Sequence, residues 1–110
     1  MIRLLRGNIF HSISRELPNE LIETMVKNRS LSIGRIVSKA HITPKDEWYN
    51  QKTNEFVILL QGRSTLKFQK KRENIILKKG DYLMIPRGCK HRVEKTSSKP
   101  PAVWLVVHYR

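Results

Sequence analysis

Residues 80–91 read Gly80-Asp81-Tyr82-Leu83-Met84-Ile85-Pro86-Arg87-Gly88-Cys89-Lys90-His91, and the reading of this stretch decides the rest. Gly80 lies in a turn, Lys79-Gly80-Asp81, where the missing Cβ permits a tight backbone. Tyr82 to Ile85 is a short apolar run of strand length. Pro86 fixes φ at the end of that run, and Gly88 opens the next turn. A second extended segment, Lys90 to Lys95, follows and carries His91 near its start. The stretch is β structure punctuated by turns.

Working outward, the same grammar repeats. Ala102 to Tyr109 is a further strand, reached through a Thr96-Ser97-Ser98-Lys99-Pro100-Pro101 loop. Upstream, Glu55 to Gln61 has Phe-Val-Ile-Leu-Leu at its centre and reads as a strand buried on both faces. Gly62 ends it, within a hairpin-type turn, Gln61-Gly62-Arg63. Ser64, Leu66 and Phe68 then alternate with Thr65, Lys67 and Gln69, and Lys70-Lys71-Arg72-Glu73 forms a charged turn before Asn74 to Leu77. Ile33 to Lys39 is another candidate strand, with Ile33, Arg35, Val37 and Lys39 on one face and Gly34, Ile36 and Ser38 on the other. Ala40 to Glu47, interrupted by Pro44, reads as a loop or bulged edge. About seven short strands with turns every 8–12 residues make the fold class all-β, a sandwich or barrel. Residues 1–30 read as an arm bearing a short N-terminal helix. Pro18 stands at its start, Leu21, Ile22, Met25 and Val26 form one apolar stripe through Lys27, and Asn28 is its stop. The expected organisation is therefore an arm over 1–30 and a β-barrel over 31–110.

The chain has 110 residues, enough for one compact core and not for two. Ala102 to Val107 is its longest unbroken apolar run, far short of the ~18 residues that span a bilayer. Met1 to Gly7 interrupts its apolar residues with arginines and lacks the apolar core of a signal peptide, so a cytoplasmic location with no membrane partner is expected. One cysteine, Cys89, excludes an internal disulfide and a Cys-rich zinc module. Charge is the outlier: 22 Lys and Arg against 9 Asp and Glu, formally +13. Between Arg63 and Lys99 stand twelve basic and three acidic residues, so this segment holds +9 of that total. Such a field attracts nucleic acid, acidic lipids or anionic metabolites. No recognition helix, zinc finger or aromatic-basic RNA-binding signature accompanies it, so nucleic acid is expected to bind only non-specifically, if at all, and in a salt-sensitive way.

The chemistry-bearing residues are few. His91 and His108 both lie within strand readings, and Glu55 opens the most hydrophobic strand, where a carboxylate must find a partner or stay solvated. Trp48, Tyr49 and Trp104 are candidate walls of a pocket. Cys89, two residues before His91, falls on the same face if the segment is extended.

Gly80 to His91 resembles the second motif of the cupin superfamily, G-x5-P-x-G-x2-H-x3-N, at every fixed position but the last, where Lys95 replaces Asn. Glu55 to Gly62 is similar to the end of the first motif, E-x6-G. The resemblance covers roughly Ile33 to Tyr109. It implies a small single-domain cupin of the RmlC-like type: a double-stranded β-helix, or jelly-roll barrel, with His91 turned into the barrel. Some relatives carry sugar-phosphate-isomerase-like names. The first motif normally supplies two histidines before the glutamate. Here those positions hold Tyr49 and Gln51, or Trp48 and Asn50 with the longer spacing. Of four metal ligands, the resemblance carries over Glu55 and His91, with His108 a candidate third. Affinity for a divalent ion needs several converging donors, so at most one weakly held divalent transition metal is expected.

These readings place a ligand pocket among Trp48, Tyr49, Asn50, Gln51, Glu55, His91, Trp104 and His108. The leading expectation is a cupin that binds a small, anionic molecule in its barrel. The alternatives are a metal-dependent enzyme of the isomerase, dioxygenase or decarboxylase type, and a basic nucleic-acid-binding adaptor. The resemblance also implies an arm packed outside the barrel or across a two-fold interface, making a homodimer the expected assembly.

Overall fold

The computed structural model describes residues 4–110. Eight strands form it: β1 (Leu21–Lys27), β2 (Leu31–Ser38), β3 (Asn54–Gln61), β4 (Arg63–Phe68), β5 (Ile75–Lys78), β6 (Tyr82–Ile85), β7 (His91–Thr96) and β8 (Ala102–Tyr109). They make a five-stranded sheet in the order β1-β2-β8-β3-β6 and a three-stranded sheet in the order β5-β4-β7. Every pairing is antiparallel. Neighbours in each sheet are mostly distant in sequence, as a double-stranded β-helix requires. The expected all-β barrel is the fold.

Alternation along each strand builds the core. On β3, Glu55, Val57 and Leu59 are buried while Phe56, Ile58 and Leu60 are half-buried on the other face. Cross-strand register aligns the inner residues: Val57 with Val106 and Leu59 with Trp104 on β8, and Val57 with Leu83 on β6. The facing sheet contributes Leu66, Phe68 and Leu77 to the same cluster. At about 25 cal/mol per Å² of apolar surface removed from water, this cluster is the main stabilising element.

The short N-terminal helix does not form; no helix occurs among the described residues. Leu21–Lys27 is an edge strand paired with β2, with a register shift between Thr24 and Val26. The helical spacing of Leu21, Ile22, Met25 and Val26 competes with a period-2 reading through β-branched Ile22 and Thr24. Pairing with β2 decides for the strand, because a short isolated helix is marginal in water. Gly34 assists: a Cβ there would lie 2.6 Å from the Glu23 carbonyl oxygen, so its absence lets β1 approach. Asn28 is a turn-former instead of a helix stop, its Oδ1 accepting from the Ser30 and Leu31 amides at 2.9 Å each. Upstream of β1 the chain lies against the outer sheet face, where buried Arg35 donates to the Ile9 and His11 carbonyls at 2.8 and 2.7 Å and pairs with Glu23.

Gly62 joins β3 to β4 with φ +87°, and an added Cβ would meet Ser97 Oγ at 2.6 Å and Ala102 Cα at 2.8 Å. Gly88 has a similar φ of +76° but opens onto free space. Gly62→Ala should therefore lower unfolding free energy by roughly 2 kcal/mol or more, through strain plus overpacking, and Gly88→Ala by about 1 kcal/mol, through strain alone. Urea titrations of the two variants check the ranking, and equal losses would contradict it.

Candidate functional site

Three segments converge at one end of the barrel. Glu55 is the second residue of β3, His91 opens β7, and His108 lies near the end of β8, directly across from Glu55 in the β3–β8 ladder. Glu55 is 6% exposed and His91 4% exposed, so the carboxylate and the imidazole are both removed from water. Glu55 Oε1 stands 3.6 Å from His91 Nε2, and Oε2 stands 3.3 Å from His108 Nε2. The Gln51 amide donates to Oε2 at 3.0 Å. The partners a buried carboxylate requires are therefore two imidazoles and an amide.

The outer nitrogens are also engaged. His91 Nδ1 lies 2.9 Å from the Cys89 carbonyl oxygen. Since a carbonyl only accepts, Nδ1 carries the proton, and in the neutral ring Nε2 would present a lone pair toward Glu55. Protonating Nε2 turns that repulsion into attraction. Accordingly, burial is the largest single influence and pushes the His91 pKa down, yet the Glu55 hydrogen bond, the Cys89 carbonyl and the Glu55 charge together raise it above its ordinary 6.5. His108 Nδ1 meets the Thr53 hydroxyl at 3.3 Å.

Loop 49–51 walls the site. Tyr49 and His91 exchange both backbone hydrogen bonds, at 2.8 and 3.1 Å, and their rings lie 5.7 Å apart. Phe68 stacks on His91 with ring centroids 5.5 Å apart. The Tyr49 hydroxyl has its pKa raised, first by burial and then by the charge of Glu20, against a lowering hydrogen bond from Thr43, so it remains a neutral donor. Together these groups open onto a cavity of about 180 Å³, floored by Trp104 and closed by aliphatic residues such as Val57, Leu66 and Ile85.

Of the sequence candidates, Tyr49, Gln51, Glu55, His91, Trp104 and His108 line this cavity, whereas Trp48 and Asn50 do not. The segment is extended, so turning Tyr49 and Gln51 inward turns their neighbours away. His108 does not reach the site from a strand beside that of His91: β8 pairs with β2 and β3 in the other sheet, and His108 arrives through its register with Glu55. Glu20 and Ile22 also line the cavity and were not anticipated, because the supposed helix hid the inward face of β1. Phe68 was legible only as an alternating apolar position. Cys89 contributes its carbonyl to His91, and its half-buried side chain packs against the core.

Two histidines and a glutamate are donor types that can hold a metal. The two imidazoles face different oxygens of the carboxylate, and Gln51 occupies Oε2 with a donor. Among the described residues no group of three His, Cys, Asp or Glu side chains is arranged to hold an ion.

Comparison with known proteins agrees with this architecture. The model of the cupin domain family matches residues 37–108. The chain belongs to the cupin family. Among solved structures, this cupin is similar to a proposed mannose-6-phosphate isomerase from Ralstonia eutropha JMP134, with 29% identity over 96% of this chain and 98% of that one and a TM-score of 0.92. It is also similar to a cupin superfamily protein from Desulfitobacterium hafniense DCB-2 (15% identity, 98% and 94% covered, TM-score 0.76). A third is an RmlC-like cupin family protein with a double-stranded β-helix fold from Methanocaldococcus jannaschii (18%, 99% and 92%, TM-score 0.72). These last two likenesses establish the fold alone. No curated protein matches the sequence. No helix among the described residues is long and apolar enough to cross a membrane.

The elevated His91 pKa has a defined consequence for stability. A raised folded-state value means the contribution of His91 is fully present below about 6.5 and fades as pH rises through the higher folded value. Thermal midpoints of the wild type should fall over that window relative to His91→Gln, whose profile lacks this step. In Glu55→Gln the His91 titration, followed by NMR of the imidazole, should move downward, because burial is then opposed only by the Cys89 carbonyl. An unmoved titration would show that Glu55 does not govern it.

Proposed function

We propose that this cupin binds a small hydroxylated, sugar-like molecule in the barrel cavity, held by Glu55, His91, His108, Gln51 and Tyr49 without a tightly bound metal. The observation that carries the reading is a buried carboxylate with an imidazole at each oxygen, set at the polar end of an otherwise apolar cavity. Hydroxyl groups both donate and accept. They match a carboxylate that accepts, an amide that donates, and an imidazole whose Nε2 does either according to its protonation. At about 180 Å³ the cavity is smaller than the roughly 300–1,000 Å³ of pockets for drug-sized ligands, which favours a compact metabolite. Trp104 and the aliphatic wall favour the C–H faces of such a molecule.

The anionic ligand expected from the net charge needs revising in one respect. Among the described residues no lysine or arginine lines the cavity, whereas Glu20 and Glu55 do. A phosphate or carboxylate on the ligand would therefore stay outside, near the mouth, with the overall positive field acting only to steer it there. The proposed sugar-phosphate activity of the Ralstonia protein is consistent with a ligand of this class.

Elemental analysis of protein purified without chelators should find well under one transition-metal ion per chain. Nearly one ion per chain, lost in His91→Ala, would replace this reading with a metal-dependent enzyme. Calorimetric titration with mannose, ribose and their phosphates in the presence of EDTA tests the ligand class. Glu55→Gln and His91→Ala should each weaken binding about tenfold or more, equivalent to about 1.4 kcal/mol. Binding that survives both substitutions would place the ligand elsewhere.

A further inference from the structure

We infer that the outer face of the three-stranded sheet β5-β4-β7 is a docking surface for the phosphodiester backbone of nucleic acid. It is a different surface from the cavity and stands independently of the ligand proposed there. On β4, Ser64, Leu66 and Phe68 are buried, so Arg63, Thr65 and Lys67 project from the opposite face. The ladders place Arg63 directly across from Lys78 on β5, and Lys67 directly across from Arg92 on β7. Thr65, between them, has Lys95 as its partner on β7.

Like charges placed directly across antiparallel strands are destabilising. One such pair is unremarkable; two on one small sheet, continued by Lys70-Lys71-Arg72 in the exposed β4–β5 hairpin, form a concentrated cationic surface. The acidic residues on these strands and their hairpin are Glu73 and Glu94. Glu94 stands 3.3 Å from Arg92, whose guanidinium also donates to the Thr43 carbonyl at 2.9 Å. That accounts for Arg92. Among the described residues no ion pair engages Arg63, Lys67, Lys78 or Lys95. Among the described residues these four side chains present positive charge outside any ion pair, although the Asp81 carboxylate lies close to the Lys78 backbone, accepting from its amide at 2.8 Å.

The arrangement selects the partner. Same-face residues along a strand are ~6.8 Å apart and neighbouring strands ~4.8 Å apart, so the cations form a closely spaced grid suited to a polymer of repeating negative charge. A bilayer-binding face would add aromatic or large apolar side chains to enter the lipid, and a protein-binding face would add a buried aromatic or aliphatic anchor. On this face Ile76 is the exposed large hydrophobic residue. No aromatic ring projects from it to stack on bases, so the contacts are to phosphate and carry no sequence preference.

The test is fluorescence anisotropy with a labelled single-stranded RNA of about 20 nucleotides across a salt series, with single-stranded and duplex DNA as parallel probes. Arg63→Gln/Lys67→Gln/Lys78→Gln should lose about tenfold or more in affinity at low salt. Its log–log salt slope should become shallower by about 2, since each phosphate contact on a single strand contributes ~0.7. Lys27→Gln/Arg29→Gln/Lys45→Gln removes the same charge from exposed positions elsewhere and should stay within about twofold of the wild type. Equal losses in the two triple variants would reduce the effect to net charge and overturn the proposal. So would absence of binding by the wild type at low salt, or tighter binding to phosphatidylserine vesicles than to any nucleic acid. Arg63→Glu supplies a second readout. Converting a like-charged cross-strand pair into an opposite one should raise the thermal midpoint while weakening RNA binding; a lowered midpoint would assign these charges to stability and count against the docking role.

Discussion

The register between β3 and β8 is the constraint on which the rest of this cupin depends. It sets Glu55 across from His108 and puts Val57 and Leu59 against Val106 and Trp104 on the same inner face. A slip of one residue would turn the carboxylate to the outside and the core residues with it, because side chains alternate with a period of two. The apolar cluster and the polar site are thus specified by one ladder. The core makes the correct register favourable by removing apolar area from water, and the site inherits its geometry. Glu55 in turn adds specificity: a buried carboxylate is costly without partners, and only this register brings His108 to one of its oxygens while the facing sheet brings His91 to the other.

Much of this was legible beforehand, and for identifiable reasons. Gly80, Pro86, Gly88 and His91 each answer a local backbone demand, so their spacing announces β6, the turn and β7 without knowledge of the remainder. Glu55 was visible as a carboxylate at the head of the most apolar strand. The N-terminal segment was misread because Leu21, Ile22, Met25 and Val26 satisfy a helical period nearly as well as an extended one, and the deciding partner, β2, becomes adjacent only in the folded chain. That error concealed Ile22, which the edge strand carries to the cavity wall, and Glu20, which immediately precedes that strand. The pairing of His108 with Glu55, separated by more than fifty positions in the chain, is likewise a property of topology. No local pattern contains it.

Charge shows the same division between composition and placement. The sequence concentrates positive residues between Arg63 and Lys99 but is silent on where they point. Folding separates them from the chemistry: strands β4, β5 and β7 direct Leu66, Leu77 and Val93 inward, and the alternation directs lysine and arginine outward. The interior consequently has its own electrostatics, set by Glu20, Glu55 and two imidazoles, in a molecule whose exterior is strongly basic. Total charge is here a poor guide to what the cavity prefers.

The double backbone hydrogen bond between Tyr49 and His91 ties the wall of the cavity to the residue that titrates within it. Segment 49–51 and the first residue of β7 therefore travel as one body. A displacement of that segment would carry the His91 backbone with it and change the distance from its imidazole to Glu55, on which the basicity of the ring depends. Wall and titrating group thus share one backbone tether.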